Sequence, residues 1–160
     1  MKKFLTASAL LCVMVMVSLA SPAALPNYAG TWVLDQSKST GLNPNMPANI
    51  EMTVTQDSKQ LKVKLGPQEV PYNLDGSKAK VQMTGRNGNT SEATVYLETK
   101  GDKVVLHSER EFSMQGNSMT IKTTETWELS KDGKTLTVNR SSEGGPRGPQ
   151  SSVWVFTMKS

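Results

Sequence analysis

From Tyr28 onward the chain alternates apolar and polar residues with a period of two, in stretches rich in Val, Thr, Ile and aromatic residues. That period sends successive side chains to opposite faces of an extended strand, whereas a helix would repeat at every third or fourth position. Strands are predicted over 28–35, 50–56, 60–65, 69–74, 78–84, 91–100, 103–115, 118–130, 135–141 and 151–159, and no segment carries a helical period. Asp57-Ser58, Asp75-Gly76, Asn87-Gly88, Gly101-Asp102, Gly116-Asn117 and Asp132-Gly133 separate them. These residues tolerate positive φ or close Asx turns, so sequential hairpins follow. A long antiparallel meander with no covering helix loses its free edges by closing on itself. The predicted fold is therefore all-β, a single antiparallel up-and-down β-barrel of about eight to ten strands, with a two-sheet β-sandwich as the alternative.

Turn positions fix a register. A two-residue loop at Gly101-Asp102 sets Leu97 opposite Leu106 and Val95 opposite Ser108, and one at Gly116-Asn117 sets Phe112 opposite Ile121 and Ser108 opposite Glu125. Around Asp132-Gly133, Leu129 meets Leu136, Trp127 meets Val138 and Glu125 meets Arg140. The face carrying these apolar residues also carries Ser108, Arg110, Thr123, Glu125 and Arg140. Arg110 falls diagonal to Glu125, within reach of a long side chain. One carboxylate cannot neutralise two guanidiniums, and unpaired buried charge is costly. The excess positive charge has two readings: a hydrated ion-pair knot that fixes register, or a site where arginine holds the acidic group of a ligand.

Connection lengths differ by end. The turns at Asp57, Asp75, Gly101 and Asp132 are short and share one end of the barrel, while the other end carries Gln36–Asn49, with two prolines, and the Gly/Pro-rich Ser142–Gln150. Long loops in compact domains are lids over a site or surface flaps.

The N-terminus changes the charge and the thiol count. Lys2 and Lys3, the apolar run Phe4–Leu19 and the small residues Ala20, Ser21, Ala23 and Ala24 form a secretory signal peptide over residues 1–23, leaving a barrel domain over 24–160. Thr6, Ser8 and Ser18 interrupt a run too short for a membrane span, which needs ~20 apolar residues. Cys12, the single cysteine, lies inside the apolar run rather than at a cleavage site, so no lipid anchor is expected and the mature chain has no thiol. Removing both leader lysines lowers the formal charge from +4 to +2, with 16 basic against 14 acidic residues. A secreted or periplasmic location follows, and so small an excess gives no case for nucleic acid.

On the first predicted strand Gly30-Thr31-Trp32 resembles the Gly-x-Trp signature of lipocalins and other calycins, in which the Trp plugs the closed end of the barrel. Gly30-Thr31-Trp32-Val33-Leu34-Asp35 with Lys38-Ser39, and Ser130-Lys131-Asp132-Gly133-Lys134-Thr135-Leu136-Thr137-Val138, are similar to secreted bacterial lipocalin-like proteins. The resemblance implies a basic residue across the Trp, with Arg140 and Lys159 as candidates. Ten strands rather than eight, and no C-terminal helix, are closer to fatty-acid-binding relatives.

No catalytic group of residues is visible. His107 is the lone histidine and falls on the outer face opposite Tyr96, and Glu125 is the lone inner carboxylate. The turn aspartates occupy unrelated corners, and the Gly-rich stretch 143–149 lacks the context of a phosphate loop. No enzyme activity, cofactor or metal is expected. The expected function is a barrel holding a small amphipathic, anionic ligand. Its site would comprise Arg110, Glu125, Arg140, Ser108, Trp32, Trp127 and Phe112, with Val95, Leu97, Leu106 and Ile121 as apolar walls. The alternative is a protein-interaction or protease-inhibitor-like module acting through loops 36–49 and 142–150 around a packed interior. An interior cavity of a few hundred Å³, ~300 or more, separates the two.

Overall fold

The computed structural model describes residues 25–47, 49–84, 88–114, 117–146 and 148–160. The expected signal peptide and its boundary lie outside the described residues, as do Asn87 and Gly116 of the expected turns. All ten expected strands are present: β1 (Gly30–Leu34), β2 (Glu51–Gln56), β3 (Gln60–Leu65), β4 (Gln68–Asn73), β5 (Ala79–Thr84), β6 (Thr90–Lys100), β7 (Lys103–Met114), β8 (Asn117–Leu129), β9 (Thr135–Glu143) and β10 (Gln150–Met158). No helix occurs among the described residues.

The strands form one antiparallel sheet in the order β4-β3-β2-β1-β10-β9-β8-β7-β6-β5. Pairing of β1 with β10, Trp32 opposite Met158 and Leu34 opposite Phe156, joins the ends of the chain and curls the sheet into a nearly closed barrel. The seam runs between β4 and β5, where one side chain stands in for a backbone ladder. Gln68 Nε2 donates to Gln82 O at 3.0 Å, and Gln68 Oε1 accepts from Thr84 N at 3.1 Å. A primary amide carries the same donor and acceptor as a peptide group, so it can bridge two edges that do not meet.

Turn aspartates tie the short-loop end. Asp57 Oδ1 accepts from Lys59 N and Gln60 N at 2.7 and 2.8 Å, Asp75 Oδ1 from Ser77 N at 2.8 Å, and Asp132 Oδ1 from Ser130 Oγ at 2.6 Å and Lys134 N at 3.1 Å. These bonds favour the ionised carboxylate and hold all three below the usual carboxylate range.

The expected register holds between β6 and β7 and between β8 and β9, with Leu97 opposite Leu106 and Glu125 opposite Arg140. Between β7 and β8 it is two residues off: Phe112 faces Met119, Arg110 faces Ile121 and Ser108 faces Thr123. A two-residue slip keeps every side chain on its face, and Met119 is as apolar a partner for Phe112 as Ile121, so the hydrophobic pattern cannot tell the registers apart. Arg110 is thereby moved away from Glu125, whose partner across β7 is Leu106.

Tyr28, expected to open the first strand, instead lies before β1 and closes the base. It is fully buried, its hydroxyl donates to Asp102 O at 3.3 Å, and its ring meets Trp127 edge-on at 5.8 Å. Its backbone carbonyl accepts from Trp32 Nε1 at 3.0 Å, and its N–H is held by Gln56 Oε1 at 2.9 Å. Trp32 and Trp127 are buried beside it, and burying each such ring contributes ~2–3 kcal/mol. Neither candidate basic residue covers Trp32. Lys159 pairs with Glu51 at 2.6 Å, and Arg140 lies over Trp154, 5.4 Å from its ring centroid.

Candidate functional site

The two long loops are fastened to the barrel rather than free. After β1 the chain makes a second contact with β10: Thr40 N donates to Val153 O at 2.8 Å, Val153 N returns a bond to Thr40 O at 3.0 Å, and Ser39 Oγ accepts from Val155 N at 2.9 Å. Asp35 holds the intervening bend by accepting from Ser37 N at 3.1 Å and Ser37 Oγ at 2.6 Å. With Lys38 also beside it, its carboxyl is lowered to about 2. Gly41 then passes so close that a Cβ would lie 2.6 Å from Ser151 O, at a φ of 67° that favours glycine. Gln36 Nε2 donates to Pro47 O at 2.8 Å, which closes the loop's neck, and Leu42 and Met46 pack on the core. The β9–β10 connection folds onto β8, where a Cβ on Gly144 would collide with Thr120 O.

Between these loops and the aromatic base lies a cavity of about 460 Å³. Ser108, Arg110, Thr123, Glu125, Arg140 and Ser142 supply a polar wall from β7, β8 and β9. Met52, Val63, Leu65, Val70 and Met83 supply an apolar wall from β2 to β5. Of the sequence-predicted site residues, Arg110, Glu125, Arg140, Ser108 and Trp127 line this cavity. Trp32 does not, because it is fully buried in the base, and Phe112 is half-buried beyond the lining. Val95 and Leu97, expected as walls, belong to the packed core below, whereas Leu106 and Ile121 do line the cavity.

The charged groups are not equivalent. Arg140 Nε lies 3.2 Å from Glu125 Oε1, and Glu125 Oε2 accepts from Trp127 Nε1 at 3.2 Å. Among the described residues Arg110 has no acidic partner, and its neighbours across the sheet are Ala93 and Ile121. Two guanidiniums against one carboxylate leave one positive charge, and it resides on Arg110. Tyr72 of β4 also faces this group. Burial, and then the charge of Glu125, push its phenol above the ordinary range, with Arg140 opposing. Tyr72 therefore stays neutral and offers a hydroxyl to the cavity.

Sequence reasoning missed Tyr72, Trp154, Gln150 and the apolar wall. Val70 and Tyr72, like Trp154 and Phe156, stand two apart and so share a face, which is a readable signal. That their faces close over the β7–β9 wall depends on the β1–β10 pairing, which no local pattern encodes. On the outer face His107 stacks on Tyr96 at 4.4 Å, lies 3.3 Å from Thr124 Oγ1 through Nδ1, and sits 3.6 Å from Glu98. Among the described residues no group of three or more His, Cys, Asp or Glu is placed to hold a metal ion, and no helix is long and apolar enough to cross a membrane.

No protein-family model matches the chain, and no curated protein sequence matches it. In fold the chain is similar to zebrafish ileal bile acid-binding protein, whose crystal structure is a complex with cholic acid. The TM-score is 0.52, at 14% identity, over 82% of this chain and 98% of that one. The likeness is one of barrel architecture, in agreement with what the Gly-x-Trp strand implied.

Proposed function

We propose that this chain is a secreted or periplasmic binding protein of the lipocalin-like kind, without enzymatic activity, whose barrel holds a small amphipathic acid. The observation that carries the reading is a cavity of about 460 Å³ that combines an apolar wall with an arginine that no carboxylate among the described residues balances. That volume falls within the usual range of small-molecule sites, ~300–1,000 Å³. A module acting through its loops alone would have no use for such a space. The acidic head group pairs with Arg110, and the apolar body lies against Met52, Val63, Leu65 and Met83. The leader at residues 1–23 supports export, and the fold neighbour, a bile acid-binding protein by name, is a precedent for a ligand inside such a barrel.

Displacement of a fluorescent anilinonaphthalene sulfonate by hexadecanoic acid tests the reading. Arg110→Met is expected to weaken hexadecanoate by about ten-fold or more, the worth of a charge-assisted hydrogen bond. The methyl ester, which has no charge to lose, responds far less. Equal affinities in wild type and Arg110→Met overturn the head-group assignment, and no binding by wild type overturns the function.

A further inference from the structure

Arg110 stands at the rim of the cavity, at the end covered by the long loops, and not in its depth. Ala93 opposite Arg110 is the last pair of β6 with β7 on that side, and Lys122 opposite Glu143 is the last of β8 with β9. Beyond them, among the described residues, β7 and β8 run on as a ribbon paired with each other alone, from Glu111 opposite Thr120 to Met114 opposite Asn117. The floor lies toward the other end of the same strand, where Val104 is opposite Trp127 and both are buried. Six residues of β7 separate Val104 from Arg110, roughly 20 Å of strand. The ~40° tilt of barrel strands turns that length into a depth of about 15 Å. Around the floor Leu106, Trp127, Val138 and Phe156 give the cavity an apolar lining.

Charge is graded along the same axis. Arg110 is half-buried and has no acidic partner among the described residues. Deeper in, Glu125 is opposite Leu106 and lies against Arg140 at 3.2 Å, so the inner guanidinium is already balanced. A free carboxylate carried to that depth would meet the carboxylate of Glu125 and give up its own hydration. We infer that the ligand lies head-out, its anionic group on Arg110 at the rim and its apolar end on the floor at Trp127. The inference rests on the amphipathic-acid reading above and narrows its ligand class. The far end of the molecule must be purely apolar, which excludes diacids. The head, by contrast, faces a rim where the ribbon has no strand on either side, so it can carry a further group outward. The class is therefore a single-headed anionic amphiphile, open to substitution at its head and closed to it at its tail.

The test uses the unmutated protein. With hexadecanoic acid carbon-13-labelled at its terminal methyl, isotope-filtered NMR is expected to show Overhauser contacts from that methyl to Leu106 and Trp127. A label on the carbon next to the carboxyl is expected to contact Ile121 instead. Hexadecanedioic acid, charged at both ends at about pH 8, must bring one carboxylate to the floor, and is expected to bind about a hundred-fold more weakly than hexadecanoic acid. N-hexadecanoylglycine, which lengthens only the head, is expected to bind within a few-fold of the parent. If the terminal methyl contacts Ile121 rather than Trp127, if the diacid binds as tightly as the monoacid, or if the acylglycine is rejected, the head-out reading is overturned while the binding function stands. If hexadecanoic acid itself does not bind, both readings fall.

Discussion

Glu125 decides how much positive charge the cavity presents. One of its oxygens lies against Arg140 and the other accepts from Trp127, so a single carboxylate orients a guanidinium and an indole together. Glu125→Gln keeps the shape and removes the charge, which raises the cavity's balance from one positive charge to two. The acidic probe is expected to bind several-fold tighter, with a steeper dependence on ionic strength because the added attraction is Coulombic. Stability should fall by only about 1 kcal/mol or less, since both side chains of the pair keep contact with solvent, at 37% and 27% exposure. Calorimetric titration at low and high salt checks both expectations. Unchanged or weaker acid binding would show that Arg140 does not share its field with the ligand.

At the level of the strands, the seam between β4 and β5 depends on one amide. Gln68→Ala removes the donor to Gln82 O and the acceptor for Thr84 N together. The contacts are exposed, so the cost is about 1 kcal/mol, but the local effect is large: amide exchange at Thr84 is expected to accelerate while β8 and β9 keep their protection. Equal exchange at Thr84 in both proteins would remove Gln68 from the seam. The strands were legible in the sequence because a period of two survives in each, even in 69–74 and 78–84, where the pattern is thinnest. The charged inner face was legible for the same reason, and Arg140 opposite Glu125 followed from apolar matching around Asp132-Gly133. The separation of Arg110 from Glu125 was not, because two registers of β7 on β8 match apolar residues equally well. Gln68 was also out of reach, since a bridge between edges that never pair leaves no mark in either strand.

The whole barrel is closed at one end by aromatic packing and at the other by fastened loops, and the closed end links its stability to alkaline pH. Tyr28 is buried against Trp127 and Trp32, and desolvation pushes its phenol from 10.0 up to about 12. Burial raises Tyr72 as well, so the two phenols act in the same direction. A folded-state pKa above the unfolded one means that the stabilisation is complete below pH 10, where both states keep the proton. It is lost as pH rises toward about 12, because only the unfolded chain ionises freely. Denaturant unfolding followed at successive pH values should show the wild type losing stability through this window, by an amount on the order of 2–3 kcal/mol for Tyr28. Tyr28→Phe gives up the bond to Asp102 O and so starts lower at neutral pH, yet its curve is flatter between pH 10 and about 12. Parallel curves would mean that Tyr28 ionises as easily in the barrel as outside it. The base would then be open to water, and the cavity above it would lack the dry floor that makes an uncompensated arginine attractive to an acid.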